Sequence, residues 1–130
     1  MTDYLTVIDV LAIHHDQIER YGGSHGIRDA GLLESALYRP RSGYYPDLIA
    51  EAAALWESLS HNHAFIDGNK RTAFACAYTF LAINGLRLQA PASDTEAFLV
   101  GLYEAGDLTK NQLEAWLRQS LFDTDGGNAT

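Results

Sequence analysis

HAFIDGNKRTAFACAYTFLAI, residues 63–83, joins two unlike halves. From Asn69 onward, Phe74, Ala75, Ala77, Tyr78, Phe80, Leu81 and Ile83 fall at helical spacing and cover most of the circumference. A helix apolar nearly all round belongs at the centre of a core. Asn84-Gly85 then stops it. Ahead of that helix, His63 to Gly68 breaks the pattern. Between His63 and Arg71 the chain gathers an imidazole, a carboxylate, an amide, an ammonium and a guanidinium. The fold is therefore read from a buried helix, and the chemistry from the loop that leads into it.

Outward from this stretch the signals stay helical. Upstream, Thr6 with Asp9 forms a capping box that opens a helix to Tyr21, and Gly22-Gly23 ends it. A short helix follows Asp29, burying Leu32, Leu33, Ala36 and Leu37. Arg39 to Tyr45, with Pro40, Ser42 and Gly43, reads as a loop or short flap. Pro46 suits a first helical position, and a helix then runs from Asp47 to Leu59. Downstream, Ser93 with Glu96 opens a helix to about Ala105, and Thr109 with Gln112 opens one to about Phe122. The expectation is all-α: a compact orthogonal bundle of about six to seven helices forming one domain, residues 1–122. Residues 123–130, polar and Gly-rich, are expected to be a disordered tail.

Composition narrows the function. At 130 residues the chain is long enough for one core without disulfides or a structural metal. No stretch is apolar for the roughly 18 residues of a membrane span. The start Met-Thr-Asp-Tyr lacks the order of a secretory signal, and Cys76 has no partner cysteine in the chain. These features suit a cytoplasmic protein. A formal charge of -8 opposes direct binding of nucleic acid. The two lysines are Lys70 and Lys110, and residues 61–92 hold Lys70, Arg71 and Arg87 against Asp67 alone, a local +2. A small basic site on an acidic body suits one anionic ligand.

The loop has the parts of a phosphate site. Gly68 lets successive N–H groups converge, and the helix start leaves orphan donors facing outward. Such a nest cradles phosphates, and Lys70 and Arg71 add charge. Asp67 offers hard oxygens for Mg²⁺ that also bridges phosphate oxygens. His63, with an ordinary pKa of about 6.5, suits proton abstraction from a hydroxyl near neutral pH. Phe65 and Ile66 read as plugs that pin the loop in the core.

The string resembles the signature of the Fic superfamily, His-x-Phe-x-Asp/Glu-Gly-Asn-x-Arg, at His63, Phe65, Asp67, Gly68, Asn69 and Arg71. Lys70 stands where AMP-transferring members usually have Gly, and Phe74 where they have a second Arg. Asn-Lys-Arg-Thr is instead typical of the death-on-curing toxin branch. The likeness extends to Ile13-His14, Tyr21-Gly22-Gly23, Gly26-Ile27-Arg28-Asp29, Gly31 to Leu37, Phe80-Leu81 and Asn84-Gly85. The resemblance implies a helical-bundle toxin that moves the γ-phosphoryl group of ATP to a protein hydroxyl. It implies His63 as general base, Asp67 as Mg²⁺ ligand, and Gly68, Asn69, Lys70 and Arg71 as the phosphate site. The resemblance further implies that the lysine fills the space that phosphates take in AMP-transferring relatives, so that ATP lies reversed. The implied target is a translation elongation factor, and the implied partner an antitoxin. Tyr44 and Tyr45 lie where Fic proteins carry a target-aligning flap.

Two alternatives share the fold: transfer of AMP to a protein hydroxyl, and a catalytically inactive relative that only binds a partner. His61-Asn62-His63 also prompts a metal nuclease, and His14, His15, His61 and His63 prompt zinc. The helical pattern and acidic charge fit the first poorly, and no cysteine or i, i+4 histidine pair supports the second.

Overall fold

Side-chain caps place most of the helices. The computed structural model describes residues 1–89, 92–106 and 108–123, without the side chains of 92–94, 96, 122 and 123. Helix α1, Val7–Tyr21, begins behind the Thr6/Asp9 capping box, as expected. Helix α2, Ala30–Tyr38, follows Asp29, whose carboxylate accepts from the Leu32 N–H at 3.0 Å. Arg39–Arg41 makes a single 3₁₀ turn over a buried Pro40.

Helix α3, Leu48–Asn62, begins one residue later than the sequence suggested and ends three later. Asp47 is its cap, accepting from the Ala50 N–H at 2.9 Å, so Pro46 stands outside the helix. The carboxylate satisfies an orphan N–H from the cap position, which favours Asp there over a place inside the first turn. Helix α4, Asn69–Ile83, has the expected bounds.

Beyond α4 the chain departs from a pure bundle. Strand β1, Leu86–Leu88, pairs antiparallel with β2, Leu121–Asp123, with Leu88 opposite Leu121. Helix α5, Ala92–Ala105, and helix α6, Lys110–Ser120, lie between them in sequence. Helix α6 therefore stops short of Phe122. Leu121 is buried in the core and joins the ladder, which replaces the helical bonds it forgoes. Asp123, assigned to the tail from sequence, pairs with Leu86. Residues 124–130 and the Ser93 and Glu96 side chains lie outside the described residues. The architecture is all-α with one short ribbon, and among the described residues no helix is long and apolar enough to cross a membrane.

The central helix is α3, not α4. Ile49 to Trp56 are buried without a break, and α3 packs on α2, α4, α6 and the 3₁₀ turn. Its Ala52-Ala53-Ala54 run explains this, because small side chains let neighbours approach from several sides. Two of the polar groups it buries are tied to distant elements: Glu51 accepts from the Tyr4 hydroxyl at 2.5 Å and Ser58 from Arg39 at 2.9 Å. By contrast α4 leaves Tyr78 and Ile83 exposed. Its open face forms part of a cleft.

Candidate active site

The loop between α3 and α4 is held by backbone. The Arg28 and Asp29 N–H groups both donate to the Ala64 carbonyl, at 2.7 and 3.0 Å, and the Ile66 N–H donates to Gly26 at 3.0 Å. Ile27 and Phe65 form an isolated antiparallel bridge. The Asn69 side chain closes the turn from within. Its Oδ1 accepts from the Phe65 N–H at 3.0 Å and its Nδ2 donates to the Phe65 carbonyl at 2.9 Å. The amide is thus engaged on the loop, and what Asn69 can offer an anion is its backbone N–H.

Phe65 is buried, as expected, and stacks on His14 with ring centroids 3.8 Å apart. Ile66 is 59% exposed, so the expected second plug is a surface residue. The loop is too short and too tightly paired with Gly26 to turn both side chains inward. Ile66 instead lies across Gly26, where a Cβ would meet its Cδ1 at 2.7 Å.

His14 is a latch. Its Nε2 lies 2.8 Å from the Asp67 carbonyl, which only accepts, so Nε2 carries the hydrogen. Burial pushes its pKa down from 6.5 and keeps the ring neutral.

Asp67 projects outward with both oxygens engaged by backbone. Oδ2 accepts from the Ser24 N–H at 3.1 Å and Oδ1 from the Gly68 N–H at 2.8 Å. These bonds, with Arg71 nearby, hold the carboxyl below its ordinary range, so it is anionic at neutral pH. Gly23 and Gly68 make the fit possible. A Cβ on Gly23 would meet Asp67 Oδ2 at 2.8 Å, and one on Gly68 would meet Ile18 Cδ1 at 2.9 Å.

The cations reach the site differently. Arg71 reaches back to α1, donating to the Gly22 carbonyl at 2.9 Å. The Lys70 ammonium lies 4.5 Å from the centroid of the Tyr103 ring. Neither forms an ion pair among the described residues, whereas Arg20, Arg39, Lys110 and Arg118 all do. Gly68 caps α4 in the left-handed region, φ 74°, with no side-chain bond to the helix, so the first N–H groups stay available.

His63 is exposed, and its imidazole bonds to none of the described residues. It shares a cleft of about 500 Å³ with Asp67, Gly68, Asn69, Lys70, Arg71 and Tyr103. All six residues expected from the sequence therefore line one cleft. A second cleft of about 660 Å³ adjoins it through Lys70, Arg71 and Tyr103, walled by Tyr21, Phe74, Tyr78, Leu99 and Val100. Phe74, half-buried, meets Trp56 edge-on at 5.3 Å.

The other histidines have separate tasks: His61 donates to the Leu108 carbonyl at 2.6 Å, and His15 stacks on His25. Among the described residues no group of three or more His, Cys, Asp or Glu could hold a metal. Tyr45 is tied down, accepting from Arg39 Nε at 2.6 Å, while Tyr44 is 84% exposed. Sequence reading gave no role to Arg28 beyond family likeness, weighed His14 besides that only among possible zinc ligands, and missed Tyr103. Tyr103 carried no signal, because one aromatic on a distant helix reads as core.

Residues 4–81 match the Fic/DOC family. The chain is 48% identical over 95 residues to the toxin Doc of Mycolicibacterium smegmatis (strain ATCC 700084 / mc(2)155), covering 69% of this chain and 71% of that one. It is 36% identical over 84 residues to the protein kinase doc of Escherichia phage P1, covering 62% and 67%.

Proposed function

The chain belongs to the Fic/DOC family, and from that membership we propose that it transfers the γ-phosphoryl group of ATP to a protein hydroxyl as the toxin of a toxin–antitoxin pair. The observation that carries this is the Lys70 ammonium, without an ion pair among the described residues, beside a helix start that has no side-chain cap, in the cleft that holds His63. The names of the two relatives, a toxin and a protein kinase, support the same reading. A translation elongation factor is the proposed target and an antitoxin the proposed partner, acting in the cytoplasm.

The roles follow from chemistry. His63 takes the proton of the acceptor hydroxyl as its oxygen bonds to the γ-phosphorus. The bond from that phosphorus to the bridging oxygen breaks, and ADP leaves. Lys70, Arg71 and the N–H groups that open α4 offset the charge on the phosphate oxygens. Asp67 fits a Mg²⁺ ligand: it is ionised, exposed, and each oxygen keeps a free lone pair after its backbone bond. With one protein carboxylate, the remaining ligands would be phosphate and water, as Mg²⁺ prefers. Bound there, the ion would supply charge neutralisation. The aromatic cleft behind Lys70 is the proposed seat of the nucleobase.

Phosphoryl transfer is favoured over AMP transfer by positions 70 and 74. A lysine side chain fills the space that a Gly would leave for a deep phosphate. Phe74 packs on Trp56 where AMP-transferring members place a second arginine. The test is ATP labelled at the γ- or the α-phosphate, incubated with the protein, Mg²⁺ and a purified elongation factor, with mass spectrometry of the adduct. The expected result is γ-label and a phosphate mass. An AMP adduct overturns the phosphoryl reading; no adduct and no ATP binding favours the inactive, partner-binding alternative.

A further inference from the structure

His63 is the C-cap of α3 and stands in the left-handed region, φ 50° and ψ 49°. Among the described residues it is the non-glycine with positive φ. Helices commonly place glycine at such a point, because a Cβ is strained there. A histidine persists in that conformation only when its surroundings hold it.

What holds it is a guanidinium. Arg28 Nε donates to the His63 carbonyl at 2.6 Å, and Arg28 Nη2 donates to the Asn62 carbonyl at 2.9 Å. Two adjacent carbonyls at the end of α3, left orphan by the helix, are thus gripped by one planar fork. The positive charge also suits the negative end of the helix. The same residue anchors the next peptide through its backbone, donating its N–H to the Ala64 carbonyl. Arg28 forms no ion pair among the described residues and does not line the cleft around His63.

We propose that Arg28 is a positioning residue for His63: its fork fixes the strained peptide that aims the imidazole into the cleft. The inference rests on the reading of His63 as the base. It acts on the reacting step and not on ATP, whose site at Gly68 to Arg71 Arg28 does not touch.

Arg28→Ala and Arg28→Lys test it against wild type, with γ-labelled ATP, Mg²⁺ and a purified elongation factor. Arg28→Ala is expected to lower kcat about 10- to 100-fold, the scale of a misplaced catalytic group, with KM for ATP unchanged. Arg28→Lys recovers only part, since an ammonium cannot grip two carbonyls in one plane. Millimolar guanidinium ion restores rate to Arg28→Ala. An unchanged kcat, or a kcat and KM that worsen together with a large fall in melting temperature, overturns the proposal. A second readout needs no activity: the Cε1–H resonance of His63, identified with His63→Ala. One narrow line in wild type that splits or broadens in Arg28→Ala supports the clamp, and an unaltered line overturns it. Failure of wild type to transfer label would strike the functional reading alone, because the resonance still decides the role of Arg28.

Discussion

Helices α4 and α6 begin with similar materials and use them for opposite ends. Each carries a lysine in its first turn, and each lysine lies over a tyrosine ring, Lys70 over Tyr103 at 4.5 Å and Lys110 over Tyr45 at 5.3 Å. At α6 the cap and the lysine are both answered within the chain. The Thr109 hydroxyl accepts from the Gln112 N–H at 3.3 Å, Glu57 accepts from the Lys110 N–H at 2.6 Å, and the Lys110 ammonium meets Glu114 at 2.6 Å. At α4 the cap is a glycine with no side chain, and Lys70 meets no carboxylate among the described residues. The caps of α1, α2 and α3 side with α6, each bonding through its side chain. Binding capacity sits where intramolecular satisfaction is withheld.

The strongest way to break this contrast is at the edge of the α4 start. His63→Ala is expected to reduce transfer by about 10²- to 10⁴-fold, as loss of a general base does. His63→Gly should match it in activity and melt no lower than wild type, since glycine takes the left-handed conformation freely. A His63→Gly protein that keeps its activity would end the base assignment; one that melts far lower would make His63 a structural residue. Next in size is a crossed pair. Lys70→Ala should lose about 10²-fold in transfer, with stability within about 0.5 kcal/mol of wild type. Lys110→Ala should keep its activity and lose up to about 1 kcal/mol. Equal effects of the two on either measurement would erase the distinction.

How far the sequence revealed this contrast depends on range. The side-chain caps at Thr6 and Thr109 and the whole of α4 were legible because their signals are local: a hydroxyl, a spacing, a stop. The six cleft residues were legible because they lie within nine positions of one another. The centrality of α3 was not, since its alanine run and buried Glu51 and Ser58 gain meaning only from Tyr4 and Arg39, far off in sequence. The Arg28 fork, the His14 latch and Tyr103 share that long reach. The β1–β2 ribbon was hidden because three-residue strands carry too little alternation to stand out.

A smaller effect probes the α6 side alone. Thr109→Ala removes the hydroxyl that caps the Gln112 N–H, which costs about 1 kcal/mol. Urea unfolding should register that loss, and transfer should not change. A fall in transfer larger than the fall in stability explains would mean that the α6 start communicates with the cleft, by way of Tyr45 or Glu57.

The smallest effect is in the acid dependence of stability. Glu114 is held below its ordinary 4.5 by Lys110 first and Arg118 second. Asp47, though partial burial opposes it, is held below 3.8 by the Ala50 N–H and Arg118. A carboxylate with a depressed folded-state pKa contributes stability that is fully present above its unfolded value and is lost as pH falls through its folded value. Wild type should therefore hold its urea midpoint down to about pH 5 and lose stability below it. Lys110→Ala removes the larger of the two influences on Glu114, so its loss below pH 5 should be shallower, by less than about 1 kcal/mol for so exposed a pair. Lys70→Ala should follow the wild-type slope, because no carboxylate among the described residues pairs with that ammonium. If Lys70→Ala flattened the curve as much as Lys110→Ala, Lys70 would have an acidic partner, and the α4 start would be as satisfied as that of α6.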